Sequence, residues 1–262
     1  MRKNAIILPL SAIILGAAGF LLRRYELNTI YHPSTGLFDK STNVTTALIL
    51  LSLAVFIYSL ILCVWIGRRY TSSKVFSETF RQKTPIYLIL VTILGLGWLV
   101  ISAKYQMDQI GQAGSFQYID GVFTLLSALS AIAIIMLARS AITGKSGGKL
   151  GWSLLPPLFT CFWLVLFYRQ HSSTPSLLQY AFTYLAIAFS TLGFYYTAGY
   201  AYGKTAAGRS VGSYMMAVFF SAVIFADSDS FTPLYIRLLF AVFLVYHALN
   251  AGLLIKNLKK KI

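Results

Sequence analysis

Long runs of apolar side chains, almost free of charge, recur along this chain at short intervals and leave few folds open to it. A helix crosses the hydrocarbon core of a bilayer with about 20 mainly apolar residues, and such runs occupy most of the 262 residues. Charged residues make up 11% of the chain, against roughly 25% in soluble domains. A soluble interior could not hide the 57% that is hydrophobic. The expected fold is therefore all-α, a polytopic transmembrane helical bundle of about eight spans forming a single integral membrane unit over 1–262.

The runs place the spans at about 4–22, 44–66, 85–103, 121–142, 152–168, 177–202, 214–231 and 233–255. Met1-Arg2-Lys3 before an apolar run resembles the start of a secretory signal peptide. The run is too long for that and ends on Arg23-Arg24, so it is expected to stay as the first helix. Pro9 is tolerable inside a membrane helix, where neighbours satisfy the freed carbonyl. Pro85 suits a first turn, and Pro156-Pro157 is expected to kink the first turns of the fifth span. The longest polar break runs from Arg23 to Asn43. Within it His32-Pro33-Ser34-Thr35-Gly36 reads as a turn, and Arg23, Arg24 and Glu26 read as a charged rim. Cys63 and Cys161 read as small buried packers.

Positive charge in short loops marks the retained side of a membrane protein. With eight spans, most of the 22 basic residues fall on the face that carries both termini, and every acid except Glu78 falls on the other. Both termini are therefore expected to be cytoplasmic, and the net charge of +15 gathers on that side. Anionic lipid head groups, or an acidic protein partner, suit such a surface. The basic residues are spread over five segments, which gives no compact surface for nucleic acid.

Few residues carry candidate chemistry. Three His and two Cys are too scattered for a metal cluster or a disulfide framework. Gly144-Lys145-Ser146 lacks the preceding glycine of a phosphate-binding loop, Arg139 standing there instead. In the sixth span Tyr180, Thr183, Tyr184, Ile187, Thr191, Tyr195 and Ala198 recur at spacings of three and four. Of these Thr183, Tyr184 and Thr191 lie too deep for an interfacial belt and are pathway or ligand candidates. His247 and Asn250 lie one turn apart deep in the eighth span, where an ionisable group is a functional hypothesis by default. The alternative for both sets is ordinary hydrogen bonding between packed helices. Asp227 and Asp229, with Arg237 nearby, could attract a cation or form an ion pair, and could equally be turn formers. No pairing of acid with base or of nucleophile with base is apparent, so neither an enzyme nor a cofactor is expected.

One resemblance attaches to the first hairpin. Arg23-Arg24-x-Glu26-Leu27, then Pro33-x-Thr35-Gly36-Leu37 and a long apolar helix, resembles uncharacterised multi-pass membrane proteins of Gram-positive, clostridial-type bacteria. The resemblance implies a bacterial plasma-membrane location and no chemistry. Two functional readings stand: a small-molecule or ion permease, or a permease subunit, with the sixth and eighth spans lining its path, and a non-catalytic membrane subunit or sensor docking a soluble partner on its basic face.

Overall fold

The computed structural model describes residues 4–29, 31–32, 37–38, 43–82, 85–113, 118–144, 150–172, 180–227 and 232–260. It is an all-α bundle. The long helices are α1 (Asn4–Thr29) and α2 (Asn43–Arg69), then α4 (Ile86–Ala113), α5 (Tyr118–Thr143) and α6 (Leu155–His171), and finally α7 (Ala181–Ala201), α8 (Ala207–Ile224) and α9 (Leu234–Asn257). A one-turn α3 (Phe76–Thr79) and a 3₁₀ segment (Leu150–Leu154) complete the described helical structure. Seven of these segments are long and apolar enough to cross a membrane, so the chain has the make-up of a multi-pass membrane protein. Helix α7 is of similar length but falls outside that set, because Thr183, Tyr184, Ser190, Thr191, Tyr195, Tyr196, Thr197 and Tyr200 dilute its apolar character.

Several helices outrun their apolar cores. The first was expected to stop at Leu22, yet α1 continues to Thr29. Arg23 and Glu26 stand on adjacent turns and pair with each other, so neither ends the helix. Both are buried, so of the three residues read as a charged rim only Arg24 is exposed. Helix α4 likewise runs ten residues past the expected end at Ala103, with Lys104 and Asp108 forming an i,i+4 ion pair at 2.7 Å. Pro156 and Pro157 occupy the first turn of α6, where a missing N–H costs nothing, so they start the helix and do not kink it. Cys161 is exposed and Cys63 half-buried, so neither is a fully buried packer. In the first long connection β1 (Tyr31–His32) pairs antiparallel with β2 (Leu37–Phe38). That is the hairpin a Pro-Ser-Thr-Gly turn would close, although residues 33–36 themselves lie outside the described residues.

The largest displacement is α8. The expected spans leave 203–213 as a connection and begin the next at Tyr214, but the helix starts at Ala207. The misread residues form its contact face. Gly208 and Gly212 are one turn apart, and a Cβ on Gly208 would overlap the Cys63 carbonyl oxygen of α2. At Gly212 a Cβ would meet the Ser59 carbonyl at 3.2 Å. This is the spacing by which small residues let membrane helices approach closely. Helix α8 is the axis of the bundle, packed by α1, α2, α7 and α9, and 83% of its span is buried.

The two ends of the bundle differ. At one end β3 (Tyr70–Thr71) pairs antiparallel with β4 (Lys259–Lys260), and Asn257 Nδ2 donates to the Thr79 and Arg81 carbonyls at 2.9 and 3.1 Å. The start of α1 lies at this basic end too, since a Cβ on Gly252 of α9 would sit 3.0 Å from the Ala5 carbonyl. That carbonyl lacks its usual donor because Pro9 has no N–H. The close approach of the Gly252 backbone brings a weak C–H donor towards it.

Candidate functional site

His247 lies at the centre of the bundle and is completely buried. Its ring rests on Gly193 of α7, where a Cβ would come within 2.6 Å of Cε1, so only glycine leaves room for it. The Phe194 ring is 4.6 Å away, and Tyr214 of α8 lies nearly parallel at 5.6 Å. Neither ring nitrogen of His247 has a hydrogen-bond partner among the described residues. A turn further along α9, Asn250 Oδ1 accepts from the Tyr87 hydroxyl of α4 at 2.8 Å. The Asn250 amide nitrogen makes no hydrogen bond of ordinary geometry among the described residues, although the Tyr246 hydroxyl lies close to Asn250. Buried polar atoms without partners each cost about 1–3 kcal/mol. A bundle that keeps several at its centre holds unspent hydrogen-bonding capacity there.

A ladder of hydroxyls runs from this centre to the basic end. Thr197 donates to the Gly193 carbonyl at 2.9 Å, which makes Tyr214 the donor in the 2.7 Å bond between their hydroxyls. One turn on, the Tyr200 hydroxyl lies 3.3 Å from Ser210 of α8 and 3.4 Å from Ser72 beside β3. The rungs Ser190, Gly193, Thr197 and Tyr200 share one buried face of α7. Ser190 Oγ, and Ser221 Oγ on α8, are also buried without a partner among the described residues.

On the other side of His247 the packing turns aromatic. Phe243 lies 5.0 Å from Trp98 and 5.1 Å from Phe194, and Phe240 stacks on Trp163 at 5.1 Å. Trp163 also lines a cavity of about 290 Å³ near the opposite end of the bundle, with Tyr105, Gln109, Gln170, His171 and Tyr235 around it. The Tyr105 hydroxyl donates to Asp120 at 3.0 Å.

The other sequence candidates lie apart from His247. Thr183 is buried on α7, but ten residues from Gly193, about 15 Å along the helix. Tyr184 turns to α6, its hydroxyl 3.4 Å from the Phe167 carbonyl. Thr191 donates to the Ile187 carbonyl of its own helix at 2.8 Å. Asp227 is 2% exposed, and Arg23 donates to it through Nε at 3.1 Å and to Glu26 through Nη1 at 2.8 Å. Thr45 donates to Glu26 at 2.7 Å and Thr232 to Asp227 at 3.1 Å. Arg237 Nη1 donates to the Asp227 carbonyl at 2.9 Å, while Asp229 lies outside the described residues. Burial pushes the Asp227 carboxyl above the usual carboxylate range against the opposing pull of Arg23. The cluster ties α1, α2 and α8 together at the end opposite the basic one.

Tyr87, Gly193, Thr197 and Tyr214 were not singled out from sequence. Gly208 and Gly212, four residues apart, carry the spacing that marks α8 as central, and the intervening Arg209 and Ser210 hide it. Nothing comparable marks Tyr87, whose role depends on a partner 163 residues away. No protein-family model, curated protein or solved structure matches the chain.

Proposed function

We propose that the protein is an eight-span membrane protein of a bacterial plasma membrane, with both termini cytoplasmic, acting as a small-molecule or ion permease or as a subunit of one. The eighth crossing is α7, whose 21 residues are long enough to span. The orientation follows from the concentration of Lys and Arg at the end where β3 pairs with β4. The first-hairpin resemblance supports the bacterial location.

The observation that carries the permease reading is the set of unbonded nitrogens on His247 and Asn250 at the centre of the bundle. Ionisable and amide groups at that depth are costly and mark pathways in membrane proteins. Along the proposed path the cavity near Tyr105 and Trp163 is the outer vestibule, and Phe240, Phe243 and Phe194 close it off. The polar centre binds, and the Thr197–Tyr214–Tyr200–Ser72 ladder leads inward. Opening requires the aromatic layer of α9 to move against α6 and α7.

The test is complementation of a deletion strain, with membrane insertion checked by immunoblot. His247→Phe and Asn250→Leu should insert and fail to complement, whereas Thr191→Val, which bonds only its own helix, should complement. Full complementation by both His247→Phe and Asn250→Leu sinks the reading.

A second reading has its own support. The β3–β4 pair, α3 and Asn257 build a small ordered platform bearing Arg68, Arg69, Lys74 and Arg81, which suits anionic head groups or an acidic soluble partner. Neutralising those four together with Lys83 should release a co-purifying protein without loss of insertion if docking is the function.

A further inference from the structure

Helices α1 and α4 both pack on α9 at the basic end, and between them one face of α9 lies recessed. The recess is a groove of about 660 Å³, floored by Val245, Ala248, Leu249 and Gly252 and walled by Leu10 of α1 and Leu90 of α4. Small residues shape it: Ala248 presents a single methyl group where neighbouring turns carry Leu or Val, and Gly252 lets α1 close in as a wall through the Ala5 carbonyl. Tyr87, only 3% exposed, closes its depth.

Its length and its ends identify an occupant. From Val245 to Lys256 the groove follows twelve residues of helix, a rise of about 17 Å. That is roughly half of the ~30 Å hydrocarbon core, so it matches the acyl region of a single leaflet. A transmembrane helix from a partner would need a groove of twice that length. At the basic end the groove finishes on Lys256 and Gln82. Lys256 is exposed and has no acidic partner among the described residues. Asn257, beside it, holds the Arg81 carbonyl, which keeps Arg81 at the same end. The apolar trough is one leaflet deep, with the Lys256 cation at its rim and no acid in its lining.

We propose that this groove is a binding site for one anionic glycerophospholipid of the cytoplasmic leaflet, an acyl chain lying along Val245 to Gly252 and the phosphate at Lys256. The leaflet follows from the orientation given above. The binding itself does not, so it is tested in micelles, where a failure to bind leaves the topology and permease readings standing.

The experiment is native mass spectrometry of the full chain released from detergent micelles doped with phosphatidylglycerol or phosphatidylcholine. One phosphatidylglycerol should be retained per chain, in preference to phosphatidylcholine by about fivefold, the factor that one basic residue contributes at an anionic surface. Lys256→Gln should erase the preference. Val245→Trp fills the recess from a position already 38% exposed and should abolish retention of both lipids. Leu53→Trp, on the outward face of α2, should change neither. Equal retention of the two lipids by the wild type overturns the proposal, as does wild-type retention by Val245→Trp. A dimer that Val245→Trp dissociates would assign the groove to a second copy of the chain and overturn it equally.

Discussion

Removing the Arg23 guanidinium should damage the protein far more than removing either of its carboxylate partners. Arg23 is the cation between two carboxylates, at 2.8 Å from Glu26 and 3.1 Å from Asp227, and all three side chains are at most 3% exposed. Arg23→Met leaves two buried anions facing each other without it, and breaking a buried pair in this way costs about 3–5 kcal/mol. Asp227→Asn keeps an acceptor for Arg23 Nε and Thr232 and leaves the Arg23–Glu26 pair intact. It exchanges a charge-assisted bond for a neutral one, which places it within about 1 kcal/mol of the wild type. Unfolding by SDS titration in mixed micelles, followed by circular dichroism, should therefore separate the two variants by about 2–4 kcal/mol. The triple variant Arg23→Met, Glu26→Gln, Asp227→Asn carries no stranded charge and should lie closer to the wild type than Arg23→Met alone. Equal losses for Arg23→Met and Asp227→Asn, or a triple variant as unstable as Arg23→Met, would refute the reasoning. Acidity gives an independent check. Burial raises the folded-state Asp227 carboxyl above its unfolded value, so its contribution to stability is full below the unfolded value of about 3.9 and is lost as pH rises through the folded one. The stability of the wild type relative to Asp227→Asn should accordingly grow as pH is lowered from 7 towards 4.

Two further substitutions probe the axis and the polar centre. Gly208→Ala puts a methyl group into the Cys63 carbonyl, so α8 must move off α2, and thermal unfolding in detergent should register a loss of about 1–3 kcal/mol; an unchanged midpoint would mean that α2 and α8 do not meet there. Tyr87→Phe strips Asn250 Oδ1 of its donor and should cost about 1–3 kcal/mol by the same assay, a loss absent when Asn250 is already Leu.

Much of the architecture was legible because lipid-facing helices advertise themselves. The expected limits of α2, 44–66, fall within three residues of the observed Asn43–Arg69, since Leu, Ile and Val cover nearly every face. His247 and Asn250 were legible for the complementary reason that polar side chains are rare at that depth. Their surroundings were not. Tyr214 was read as the start of a span when it stands in the third turn of α8, and Gly193 looked like any small residue of a helix. The role of each is set by a partner on another helix, and spacing within one helix carries no record of that. Arg23 was misplaced on similar grounds, because a charge reads as the end of a span until its counter-charge, Asp227, is known to lie 204 residues away at the same level.

These errors have a common cause. In a soluble protein apolar character and burial rise together, whereas in this bundle they run in opposite directions. Helix α2, the most apolar of the spans, has only 22% of its span buried, with Ile49, Leu50, Leu53, Ile57 and Ile61 all turned outward. Helix α8, with three Ser and two Gly in its length, has 83% buried. Lipid tails are as apolar as Leu, so transferring Leu from lipid to protein gains little, and helices associate through close backbone approach and hydrogen bonds instead. Gly, Ser, Thr and Tyr supply both, and they gather where the helices meet: Gly208 and Gly212 against α2, Gly193 under His247, and Thr197 with Tyr214. The stretches weakest in apolar character, α7 and the first half of α8, are for that reason the ones to search for the interior. Both lead to His247, the one buried imidazole among the described residues, held against a glycine on α7 and a tyrosine on α8.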